Sequence, residues 1–208
     1  MALSPAAHRM TGYHPGPTPW IKCRKPMSST PSITLHTAPV DSDLDFVFTF
    51  ERRQEVERVI RMQAAHAVES ADPFIDDWSP AERQEVKDTL RVALANGGLV
   101  CLATRMGRVV GFACVDGAPV EPTGRYRPLK ELHVEASVRG RGIGRLLFAC
   151  CLEEARRKGF QRLYVSSHSA RETVLFYRRQ GCVDAQWLWP EQAEREPFDY
   201  PMECEVGR

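Results

Sequence analysis

Residues 138–160, VRGRGIGRLLFACCLEEARRKGF, set three arginines and three glycines directly before a long amphipathic run. Gly140, Gly142 and Gly144 remove side chains where a helix would begin. The first turn of any helix carries backbone N–H groups without intrahelical partners, at the positive end of its dipole. Arg139, Arg141 and Arg145 add full charges whose forked geometry suits phosphate oxygens. Types and spacing together describe a phosphate or pyrophosphate cradle over residues 139–145, including Ile143. The plainer alternative is a strand-to-helix turn with solvated arginines. Two familiar phosphate loops do not apply. A P-loop needs Lys-Ser/Thr after its last glycine, where Arg145-Leu146 stands here, and the dinucleotide fingerprint spaces its glycines differently.

The elements that must position this turn follow from periodicity. Apolar residues at 143, 146, 147, 150 and 151 form one helical stripe, Glu153 and Glu154 precede Arg157 and Lys158 by four, and Gly159 ends the helix. Residues 129–134 read as the strand leading into the turn, 161–167 as a further strand, and 170–181 as a helix stopping at Gly181. Two last strands are expected near residues 182–189 and 198–206. Upstream, residues 33–37 alternate as a strand. Residues 43–70 are predicted helical from Val56, Val59, Ile60 and Ala64, and residues 70–80 break that pattern. Ser79-Pro80 then opens a helix ending at Asn96-Gly97-Gly98. Residues 99–105 and 109–116 form a hairpin around Met106-Gly107. The fold class is α/β with a mixed sheet. Residues 1–31, rich in Pro, Gly, Ser and Thr, are expected to be a disordered or nonessential extension, with Met10 and Met27 as alternative starts; the domain is 32–208.

Bulk composition bounds the partners. Of 208 residues 43% are hydrophobic, enough for one sizeable core, and 28 basic residues nearly balance 27 acidic ones. Nothing global favours nucleic acid or a membrane surface, since the basic residues cluster at one turn and form no stripe. No stretch approaches the roughly 18 apolar residues of a spanning helix. The seven cysteines show no metal-ligand spacing and no CxxC pair. With no secretory leader visible, they are expected to be reduced, buried thiols of a cytoplasmic protein.

In this setting the Arg139-Gly140-Arg141-Gly142-Ile143-Gly144 motif resembles the Arg/Gln-x-x-Gly-x-Gly/Ala signature of the GCN5-related N-acetyltransferase (GNAT) family. LHV (132–134), LYVSS (163–167), TVLFYRRQGC (173–182) and a closing strand pair resemble the rest of that family's pattern, over residues 33–206. The resemblance implies the GNAT-type acyl-CoA N-acyltransferase fold, a mixed, mostly antiparallel sheet flanked by helices, with acetyl-CoA as acyl-donor cosubstrate. It also implies that amides of residues 139–145 hold the pyrophosphate, that Leu132, His133 and Val134 flank the pantetheine arm, and that the Val134 amide polarises the thioester carbonyl. Tyr177 matches the tyrosine that protonates the departing thiolate; a packed core tyrosine is the alternative. The asparagine frequent seven residues before that tyrosine is replaced by Ala170, within a loop of Ser167, His168 and Ser169.

Direct acetyl transfer needs a neutral amine, so a proton must be taken. Glu131 and His133 lie two apart on one strand and face the same side, and either, or water, could take it. Glu69, Asp72, Asp76 and Asp77 around Phe74 and Trp78 are an expected acceptor surface, or an ordinary helix-capping loop. Trp187 and Trp189 line the same pocket or belong to the core. The resemblance implies a small-molecule or peptide amine as acceptor, attacked directly in a ternary complex, and the sheet edges would allow a homodimer. A noncatalytic acyl-CoA-binding or sensing module is the competing reading.

Overall fold

A computed structural model describes residues 32–207 apart from residue 65; the N-terminal extension, with Cys23, lies outside the described residues. Nine strands and five helices follow in the order β1 (Thr34–Thr37), α1 (Phe46–Thr49), β2 (Gln54–Gln63), β3 (His66–Asp76), α2 (Pro80–Ala95), β4 (Leu99–Arg105), β5 (Arg108–Val115), β6 (Tyr126–Val134), α3 (Ile143–Arg157), β7 (Arg162–Ser167), α4 (Arg171–Arg179), β8 (Val183–Asp184), α5 (Pro190–Arg195) and β9 (Tyr200–Glu205). Seven strands form one sheet, ordered β1-β4-β5-β6-β7-β9-β8, while β2 and β3 pair separately as a hairpin. Only β6 and β7 run parallel. This is the mixed, mostly antiparallel sheet with flanking helices that the resemblance implied.

Each face of the sheet buries its own core. On one, Leu147, Cys151 and Val174 from α3 and α4 pack on Ala113, Leu129, Leu163 and Val165. On the other, Val86 and Leu90 of α2 meet Phe112 and Cys114. Alternation along the strands separates the two sets. Gly111 permits the close approach of α3: a Cβ there would lie 3.0 Å from Leu147 Cδ1. The Ser79 cap is a full capping box with Glu82. Met106 and Gly107, with φ of 52° and 77°, turn the β4-β5 hairpin.

Two sequence expectations are corrected. Residues 43–70 are a four-residue helix followed by a β-hairpin. Val56 and Val59, three apart, are both buried in one cluster with Ala170 and Phe74, which gives a strand the apolar spacing of a helix; beside them the β2-β3 register shifts, with the extra residue on β3. Pro73 lies in the same irregularity, where its missing N–H breaks no ladder bond. The expected strand over 182–189 is only Val183–Asp184, because Pro190 sits at the first turn of α5 and fixes a helix there. Five of the described cysteines are buried and Cys150 is half-buried.

Candidate functional site

Strands β6 and β7 pair only from Tyr126↔Arg162 to Leu129↔Val165. Beyond that point β6 runs to Val134 and β7 to Ser167 without pairing, so the sheet opens into a wedge. Glu135 N–H bonds Val110 O on the β5 side, and the Gly111 Cβ position lies 3.1 Å from His133 O. Ladder alternation therefore turns the N–H and C=O of Val134 toward the wedge.

Two cavities meet there. One is lined by Leu132, Val134, Gly140, Gly142, Gly144 and Arg145, together with Phe176 of α4. The other, about 310 Å³, is lined by Asp76, Trp78, Glu131, Tyr164, Trp189 and Asp199. Arg52, Leu132, His133, Thr173 and Tyr177 belong to both.

The glycine-rich turn is built as its composition suggests. Gly140 and Gly142 have φ of 75° and 79°, the left-handed region that favours glycine. Gly142 is the N-cap of α3, and no side chain caps the helix. The first amides of α3 thus face the first cavity without a capping side chain, which is the donor set a pyrophosphate requires. A Cβ at Gly144 would lie 3.3 Å from the Phe176 ring, so glycine also lets α4 close the cavity wall. Arg141 and Arg145 are exposed beside this turn. Arg139 is bound to backbone carbonyls. Its Nε donates to Val134 O (2.9 Å), and its Nη atoms donate to Arg53 O and Arg52 O (2.7 Å each). The side chain ties the turn to the strand before it and to the start of the hairpin through three of its N–H groups, and it lines the first cavity as well.

Tyr177, 6% exposed, packs edge-on to Phe148 and Phe176. Its ring lines both cavities, and its hydroxyl has no hydrogen-bond partner among the described residues. Burial, with the nearby charges of Glu131 and Asp199 among the smaller causes, holds the phenol well above its ordinary pKa, so it carries its proton. His133 and Glu131 are brought together: Nε2 lies 2.7 Å from Oε2. Nε2 donates to the carboxylate, which leaves Nδ1 as the acceptor of the neutral ring. Trp78 and Phe112 flank the imidazole at ring distances of 4.8 and 5.3 Å, and desolvation pushes its pKa below the ordinary value.

Of the expected acceptor surface only Asp76 and Trp78 reach the second cavity. Glu69 pairs with Arg58 of the hairpin and Arg171 of α4, Asp72 with Arg61 of the hairpin, and Asp77 with Arg83 of α2. Asp76 is held by Arg52 and faces His168 Nε2 at 3.6 Å. His168 Nδ1 accepts from Ala170 N–H (3.1 Å), so the neutral ring keeps its proton on Nε2 toward Asp76. The loop expected around Ala170 thereby serves the hairpin, since Ile60 N–H donates to Ser169 O and Val59 bridges Ala170. Trp189 meets Tyr164 edge-on and lines the cavity, while Trp187 stacks on Tyr126. Sequence reasoning missed Arg52, Ser166 and Asp199. No local pattern marks them, because each gains its role from strand pairing across long separations.

Comparison with known proteins agrees with this geometry. Residues 64–182 match the acetyltransferase (GNAT) family. An IAA acetyltransferase of Azospirillum brasilense is 30% identical over 118 residues, covering 56% of this chain and 74% of that protein. Nourseothricin acetyltransferase superposes with a TM-score of 0.64 at 17% identity, over 84% of this chain and 99% of that one. A Bacillus anthracis acetyltransferase solved with acetyl coenzyme A superposes with a TM-score of 0.59 at 12% identity, over 83% and 96% of the two chains. The open helix terminus and the wedge accord with these relatives, and the chain belongs to the GNAT family of acetyltransferases.

Proposed function

We propose that the protein is an acetyl-CoA-dependent N-acetyltransferase that passes the acetyl group to a primary amine by direct attack in a ternary complex. The observation that carries this reading is the meeting of two cavities at Leu132, His133 and Tyr177, where a β-sheet opens. A donor held along one and an acceptor held in the other come together without a covalent enzyme intermediate.

Acetyl-CoA supplies the activated acetyl thioester. Amides of residues 140–145 hold its pyrophosphate, Arg141 and Arg145 add charge, and Arg139 holds the turn in shape. Leu132, His133 and Val134 flank the pantetheine arm, and the Val134 N–H polarises the acetyl carbonyl. His133, kept neutral by burial and oriented by Glu131, takes the amine's proton at Nδ1, directly or through one water. Tyr177 gives its proton to the departing thiolate. A cavity of about 310 Å³ lies at the small end of ligand sites and favours a small amine or a single side chain.

The noncatalytic reading, an acyl-CoA-binding module, keeps the helix terminus but has no use for a protonated tyrosine and an acceptor histidine at the junction. The test is thiol release from acetyl-CoA against polyamines, aminoglycosides, amino acids and peptide N-termini, with Tyr177→Phe alongside. Amine-dependent release that falls in the variant supports transfer. Acetyl-CoA binding without release for any amine supports the noncatalytic module.

A further inference from the structure

The second cavity holds four carboxylates, and three already have cationic or imidazole partners. Asp76 is held by Arg52, Glu131 by His133, and Glu196 lies 3.7 Å from Arg195. Asp199, in the turn before β9, differs from them. Among the described residues its side chain has one partner, the Ser166 hydroxyl, which donates to Oδ2 at 2.8 Å. Ser166 is the first residue of β7 beyond the last β6-β7 pair, Leu129↔Val165, so it marks the apex of the wedge. A half-buried carboxylate stands at that apex with no ion pair among the described residues.

From this geometry we infer that Asp199, positioned by Ser166, is the counter-ion that selects a positively charged acceptor, receiving its ammonium group where the acceptor cavity meets the wedge. The inference rests on the acetyltransferase reading and adds to it the residue that recognises the charged acceptor. Most alkyl amines are cations at neutral pH, and Asp199 holds that form until the proton passes to His133 and the free amine attacks. The aromatic walls supplied by Trp78, Tyr164 and Trp189 suit an alkylammonium group beside the carboxylate.

The surroundings fix the pH behaviour. Arg195 at the end of α5 and Glu196 just after it face Asp199, as do Tyr164 and Ser166 from β7 and Tyr177 from α4, and Lys130 and Glu131 line the same cavity from β6. Lys130 is drawn over the Trp189 ring, 5.3 Å away, and Arg195 toward Glu196; Arg195 acts on Asp199 only from a distance, and neither forms an ion pair with it among the described residues. Burial raises the Asp199 pKa to about 6 against the lowering effect of the Ser166 hydrogen bond. Below that pH the carboxyl is neutral and loses its hold on a cation.

The experiment measures acceptor KM and kcat against pH for wild type, Asp199→Asn and Ser166→Ala, using the best amine of the panel. Propylamine binding is followed in parallel by the NMR titration of 13C-labelled aspartate carboxyls. Asp199→Asn is expected to raise acceptor KM at least tenfold at pH 7.5, with smaller loss in kcat and unchanged acetyl-CoA KM. Wild-type acceptor KM should climb below about pH 6. In Ser166→Ala that climb should begin at higher pH, since the hydrogen bond favouring the ionised form is gone. Propylamine should lower the midpoint of the one aspartate signal missing from Asp199→Asn. An unchanged acceptor KM in Asp199→Asn, or an Asp199 signal indifferent to propylamine, overturns the inference. Wild type that transfers to no amine contradicts the acetyltransferase reading, while the titration alone still decides whether Asp199 receives an ammonium ion.

Discussion

The two cavities that meet at the wedge are made of different materials. The groove beside α3 is made chiefly of backbone: amides at a helix start, two glycines in the left-handed region and a strand edge at Val134. The cavity on the opposite side is made of side chains from three strands and two loops, with Asp76, Trp78, Glu131, Tyr164 and Trp189 converging by tertiary packing. A backbone site recognises what every reaction of the family shares, and it needs few particular residues beyond glycine. A side-chain site can change its occupant by substitution while the sheet stays as it is. The two sites should therefore respond to mutation in different kinetic terms.

The sharpest way to break this comparison is at the junction. Tyr177→Phe removes one oxygen from a buried ring, so kcat should fall about 100-fold, within the range for a positioned acid, while acetyl-CoA binding by calorimetry stays within about twofold. Equal losses in both would mean that the ring only packs. Next in size, His133→Gln should lower kcat by less than Tyr177→Phe does, since water can take over part of the base's role. Burial holds the His133 pKa below its ordinary value, so wild-type kcat should be flat at pH 7 and fall only as acid protonates the ring. Glu131→Gln removes a hydrogen bond that raises this pKa, so the acid limb should move to lower pH.

On the groove side, Arg141→Ala with Arg145→Ala should raise acetyl-CoA KM several-fold and flatten its salt dependence, with the acceptor KM unmoved. The smallest expected effect sharpens the role of Arg139. Arg139→Ala should lower Tm by about 3 °C through three lost carbonyl contacts, and change the salt dependence of acetyl-CoA binding less than the Arg141 and Arg145 pair does. A salt slope changed as much as in that pair would return Arg139 to the phosphate.

The difference between the cavities also explains how much of each was legible in the sequence. The segment from Leu132 to Gly181 was readable because its signals are local: a glycine turn, a 3.6-residue stripe, a stop at Gly159. The β2-β3 hairpin was not, since Val56 and Val59 are both buried against Ala170, a distant residue, and so show the spacing of a helix on a strand. Trp187 and Trp189 alternate as a strand would, yet both pack on Tyr164 from the segment before α5, whose start is fixed by Pro190. Asp199 carries no signal at all in its neighbours. Its position at the apex depends on β9 pairing with β7, so that Ser167 faces Tyr200.

The central claim is that donor and acceptor meet directly at the junction, and initial-rate kinetics test it most directly. Thiol release is measured while acetyl-CoA and the selected amine are both varied. Direct transfer in a ternary complex predicts double-reciprocal lines that intersect, in wild type and, at reduced kcat, in Tyr177→Phe. Parallel lines, the sign of an acetyl-enzyme intermediate, or thiol release independent of the amine, would contradict it.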